Sequence, residues 1–145
     1  NKQKMMKKSL IILSALCGLS SCQESFDERC TREAREYTEK QCPRRMDAYT
    51  VMDSLTYDTP SRTLHYFYTL EGVLDNDSVT SAEFQDALKD LLHKYIMNSV
   101  DLKTYKEKGL NFCYHYYSRS TGKERCKALF TPTDYGKAPH TGNKD

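Results

Sequence analysis

The stretch Thr63–Leu70, T-L-H-Y-F-Y-T-L, constrains this chain more than any other. Its β-branched and aromatic residues suit a pleated strand with two distinct faces. Residues 50–57 have the same character, and Thr59-Pro60-Ser61-Arg62 between the two reads as a turn. Two further strands are expected at 110–118 and 123–130, with Thr121-Gly122 as a tight hairpin turn.

Helices are expected on either side of the first strand pair. Ser25-Phe26-Asp27-Glu28 has the pattern of a capping box. Phe26, Cys30, Ala34 and Tyr37 then recur at helical spacing until Pro43 ends the helix. A second box is expected at Thr80-Ser81-Ala82-Glu83, followed by Phe84, Leu88, Leu91, Leu92 and Tyr95 on one face. Residues 101–108 suit a short helix closed by Gly109. The order α-β-β-α-β-β predicts an α+β fold, a four-stranded antiparallel sheet with helices packed against it. The loop around Asp75-Asn76-Asp77-Ser78 is acidic but lacks the length and distal Glu of a calcium loop.

The N-terminal residues have a different logic. Met5, Met6, Lys7 and Lys8 precede an apolar run from Leu10 to Leu19, about half the length that spans a bilayer. Asn1 to Lys4 are expected to lie upstream of a start at Met5 or Met6. The stretch Leu19-Ser20-Ser21-Cys22 resembles the lipobox of bacterial lipoproteins, which makes Cys22 the lipidated residue. Cys17 follows Leu16, too large for that cleavage site, and leaves with the signal. The resemblance implies acyl chains on Cys22, and two or more chains make a stable anchor. Gln23, rather than Asp, after the cysteine implies sorting to the outer membrane, facing the periplasm or the cell surface. Glu24, Asp27 and Glu28 loosely resemble surface-export signals.

Residues 1–21 are therefore read as a cleaved signal, 22–135 as one domain, and 136–145 as a polar tail. The signal removes four lysines and no acid. The remainder has 18 basic and 20 acidic residues, a net charge of −2. That balance argues against a nucleic-acid partner.

Export makes disulfides the expected state of Cys30, Cys42, Cys113 and Cys126. Cys30 and Cys42 are separated by about 18 Å of helix, beyond the roughly 7 Å that a disulfide allows. A two-residue Thr121-Gly122 turn puts Cys126 opposite Tyr117, about 13 Å from Cys113. A turn at Arg119-Ser120 would instead place Cys113 opposite Cys126. The first turn, in a simple meander, favours Cys42–Cys113 with Cys30–Cys126. A metal held by these thiolates with His93 or His115 lacks paired C-x-x-C spacing, so no metal or other cofactor is expected. Cys113 and His115 share a strand face, but no third group is evident to orient the histidine. No catalytic residue is assigned.

Beyond the leader, the chain from Gln41 to Tyr135 resembles a family of small exported bacterial proteins of unknown function. The similar pieces are Q-C-P-R-R-M-D-A-Y-T-V-M-D-S, L-H-Y-F-Y-T-L, S-V-D-L-K and the hairpin ending F-T-P-T-D-Y. Members of that family have cysteines near the positions of Asn98 and Tyr135. This sequence has neither, so that bond cannot form here. The resemblance implies fold and export, and it supplies no catalytic residue.

Tyr66, Tyr68, Tyr114 and Tyr116 share strand parity and form a candidate stacking surface for a sugar or peptide. The competing expectation is that the second helix covers them with Phe84, Leu88 and Leu92. Three functions fit: a lipid-tethered binding or structural module with an envelope protein or glycan partner, an envelope hydrolase, or an inhibitor or immunity-type protein. An open tyrosine sheet favours the first, clustered acids, His or Ser in a cleft the second, and a protruding tip at 119–123 the third.

Overall fold

The computed structural model describes residues 22–136, so the signal expected at 1–21 and most of the expected tail lie outside the described residues. Helix α1, Phe26–Gln41, begins on the expected box: Ser25 Oγ accepts from the Glu28 backbone at 3.1 Å, and Glu28 accepts from the Ser25 backbone at 2.7 Å. Five strands follow in two groups. Strands β1 (Arg44–Arg45), β2 (Thr50–Asp58) and β3 (Thr63–Leu70) precede α2 (Ala82–Asn98) and the short α3 (Lys103–Glu107). Strands β4 (Asn111–Ser118) and β5 (Glu124–Phe130) close the chain.

The fold is α+β, but the sheet has five strands in the order β1-β2-β3-β4-β5 and is mixed. The four-stranded antiparallel expectation fails at two points. β1 is only two residues long and follows Pro43, too short to register as a strand in sequence. The central pair β3–β4 is parallel, with His65 beside Cys113 and Phe67 beside His115. The reason is the connection. Residues 71–110 carry the chain back through α2 and α3, so β4 starts beside the start of β3.

Strand parity then divides the sheet into two faces. Met52, Leu64, Tyr68, Phe112, Tyr114, Tyr116, Cys126 and Ala128 join Cys30 and Ala34 of α1 and Leu92 and Ile96 of α2 in one core. Both long helices therefore lie over the same face. Tyr66 stacks on Tyr114 at 4.7 Å and Tyr68 on Tyr116 at 4.9 Å between ring centroids. Of these four, Tyr66 is half-buried and the rest are buried. The tyrosine ladder is thus a packing element rather than an open stacking surface. Burying large aromatic rings under two helices stabilises the core more than leaving them in water.

Other details depart from the sequence reading. The N-cap of α2 is Ser81, which accepts from the Phe84 backbone, so Glu83 completes no capping box. Leu91 and Tyr95 turn away from the core and are 66% and 52% exposed. The short helix closes as expected on Gly109 at φ +71°.

Candidate functional site

Four strands meet on the face without helices. Among its residues are Ser54 and Thr56, His65, Phe67 and Thr69, Cys113, His115 and Tyr117, and Lys127 and Leu129. Three of these converge. His65 Nδ1 lies 2.8 Å from His115 Nε2, and Cys113 Sγ is within 4.8 Å of both histidines' ligating nitrogens. Their backbones belong to two paired inner strands, β3 and β4.

Around them, Phe67 stacks on the His115 ring at 4.7 Å and 10°. On the far side of His115, Nδ1 lies 2.9 Å from a Glu124 carboxylate oxygen. Burial pushes the Glu124 carboxyl up, but hydrogen bonds from His115 and Tyr117 outweigh it and hold the group below the usual carboxylate range. Burial, then His115, pushes His65 below its ordinary value. Burial raises the Cys113 thiol.

Glu124 is the orienting group that sequence reasoning did not find for His115. The cluster is nevertheless not built as a nucleophile pair. His115 Nε2 faces His65 instead of being committed to the thiol, and burial favours the protonated thiol over the thiolate. Sequence reasoning also missed His65, which stands 50 residues before His115. Only the parallel register brings it there. His93, the other histidine considered, turns elsewhere, with Nε2 2.6 Å from the Asp134 carbonyl.

The predicted disulfides meet the same two-faced geometry. Cys30, Cys42, Cys113 and Cys126 are all free thiols. Cys30, Cys42 and Cys126 belong to the helix-covered core, where Cys126 Sγ donates to the Val79 carbonyl. Cys113 belongs to the other face. A Cys42–Cys113 bond would have to cross the sheet, and Cys30 and Cys126 share the core without a bond. The Thr121-Gly122 turn is also longer than expected. Ser118 pairs with Lys123, and a bulge after Tyr116 sets Cys126 opposite Tyr116.

The hairpin tip at 119–123 is exposed and is tied down at its base. Arg119 binds Glu71 at 2.7 Å, and Asp75 accepts from Ser118 and from the Ser120 backbone. The acidic loop is used up the same way, since Asp77 pairs with Arg125 at 2.9 Å.

A family signature described as a domain of unknown function, DUF8479, matches residues 25–126, from the first helix cap to β5. The chain belongs to this family. No curated protein matches the sequence of this DUF8479 member. Two solved structures share its fold. One is a protein of Pseudomonas aeruginosa described as secreted, at TM-score 0.61 and 11% identity, covering 75% of this chain and 95% of that one. The other is the type 2 secretion system pilotin of Vibrio vulnificus, at 0.56 and 10%, covering 77% and 93%.

Proposed function

We propose that this DUF8479 protein is a lipid-anchored module of the cell envelope that binds a protein partner. In this reading residues 1–21 are cleaved, Cys22 carries the acyl chains, and residues 22–135 form the tethered domain. The outer membrane is the expected site. A location in the envelope agrees with the secreted protein and the pilotin that share the fold. No described helix is long and apolar enough to cross a membrane.

The observation that carries the binding role is an apolar side of α2 that no element covers among the described residues. Leu91 and Tyr95 stand one turn apart on it, exposed, with Val100 82% exposed just beyond the helix. Exposed apolar groups gathered in one place mark interaction surfaces. The anchor geometry is compatible. Cys22 is exposed three residues before the cap, and Arg32 grips Glu24 through two bonds of 2.7 and 3.0 Å. The domain is then held close to the lipid surface, with no long tether between them.

A photo-crosslinking amino acid at Leu91 in living cells should capture one envelope protein, and the same probe at Lys127, on the opposite face, should not. Equal capture at both positions would overturn the assignment of the surface. Metabolic labelling with an alkyne fatty acid should mark the wild type and not Cys22→Ser, which should leave the membrane fraction. Equal labelling of both would end the anchor reading.

A further inference from the structure

The sheet face opposite both helices carries a second feature, independent of the partner surface on α2. We propose that His65 Nδ1, Cys113 Sγ and His115 Nε2 form a binding site for one zinc(II) ion. His65 Nδ1 and His115 Nε2 are 2.8 Å apart, and one ring nitrogen of each histidine and Cys113 Sγ lie within 4.8 Å of one another on two paired central strands. Two imidazoles and a thiolate suit zinc, or a similar late first-row cation, and do not suit magnesium or calcium.

The hydrogen bonding already selects the His115 tautomer that the site needs, and leaves one proton on His65 to be exchanged. A carboxylate only accepts, so the Glu124 oxygen at 2.9 Å places the His115 proton on Nδ1. His115 Nε2 then presents a lone pair. The 2.8 Å contact to His65 Nδ1 is attractive only if that nitrogen carries the proton. A single proton thus sits between two ring nitrogens, where a cation would sit. The carboxylate behind a ligating histidine is the usual outer partner in zinc sites.

The exchange balances. As zinc enters, the His65 proton moves from Nδ1 to Nε2 of the same ring, with no net release. The Cys113 S–H bond breaks, its proton goes to solvent, and its electron pair forms the zinc–sulfur bond. Tetrahedral coordination with zinc–nitrogen bonds near 2.0–2.1 Å requires the two nitrogens about 3.3 Å apart. The 2.8 Å contact must therefore open slightly. His65 can supply this movement, because it is only half-buried whereas Phe67 holds His115 by stacking.

Charge around the site is mixed. Lys127 stands beside His115 on β5 and opposes a cation, while Glu124 and the Asp58 carboxylate near His65 favour one. Three protein ligands leave a fourth position for water or a partner's side chain. That count is the pattern of an open zinc site rather than a closed structural one.

The full chain, purified with its thiols reduced, can be titrated with zinc chloride against a chromophoric chelator. One zinc per chain is expected. His65→Gln and Cys113→Ser should each weaken binding by about tenfold or more, and Glu124→Gln by about 10–100-fold. His93→Gln should leave it unchanged. Cobalt(II) should give a sulfur-to-metal charge-transfer band that disappears in Cys113→Ser. If burial makes the Cys113 variant fold poorly, the half-buried His65 and exposed Glu124 variants still decide the matter. Absence of saturable one-to-one binding, or unchanged affinity in His65→Gln, would overturn the site.

Discussion

Cys113 and Cys126 lie on adjacent strands but on opposite faces of the sheet, with Cys113 facing Leu129 and Cys126 facing Tyr116 across the β4–β5 ladder. Side chains alternate faces along each strand, so no local movement brings these sulfurs together. Cys42 and Cys113 are separated by the sheet in the same way. Peptide mapping of the unreduced protein should find Cys30, Cys42, Cys113 and Cys126 as free, alkylatable thiols. A Cys113–Cys126 or Cys42–Cys113 fragment would contradict the register. A Cys30–Cys126 fragment would show that the core thiols oxidise after all.

Tyr114 separates packing from hydrogen bonding in the tyrosine ladder. It is 1% exposed, stacked on Tyr66, and its hydroxyl makes no hydrogen bond to the protein. Tyr114→Phe keeps the ring and breaks no protein hydrogen bond, so it should stay within about 1 kcal/mol of wild type. Tyr114→Ala should cost about 3–5 kcal/mol by leaving a cavity under both helices. Urea denaturation of the two variants measures the contrast. Equal losses would mean that the hydroxyl, and not the ring, holds the core.

The start of the fold rests on one side chain. Ser25→Ala removes the acceptor for the Glu28 backbone and should cost about 1 kcal/mol. Ser25→Asp should recover most of it, because a carboxylate caps as well and favours a helix N-terminus. Thermal unfolding of the two variants checks the order.

Glu71 links edge strand β1 to the β4–β5 loop. It accepts from Arg45 of β1 at 2.9 Å and from Arg119 of the β4–β5 loop at 2.7 Å. Those two hydrogen bonds, Arg45 first, hold its carboxyl below the ordinary 4.5. A carboxyl whose folded value is lowered contributes stability that is complete above its unfolded value. That contribution is lost as pH falls through the lower folded value. Glu71→Gln should therefore shrink the acid-side loss of stability and lower stability near neutrality by a small, salt-sensitive amount. Urea midpoints across the acid range, at low and high salt, test the sign. A variant that parallels the wild type at every pH would show that the pair of arginines does not hold the carboxylate.

Local physics made much of this protein legible in its sequence. Ser25 and Glu28 are three residues apart, so their box needs nothing from the rest of the chain. The alternation of Thr63–Leu70 and the Gly109 closure are equally local, and they appear where the sequence put them. Which face a residue joins is not local. Tyr66 and His65 are neighbours in one strand, yet one stacks in the core and the other meets His115. That outcome depends on where α2 carries the chain before β4 begins. The crossover through residues 71–110 makes β3 and β4 parallel, brings α2 to the tyrosine side that α1 also covers, and leaves His65, Cys113 and His115 together on the other. Periodicity shows that a strand has two faces. Only the tertiary packing chooses which one is buried, because the free energy of covering an aromatic surface depends on the helices that return to cover it.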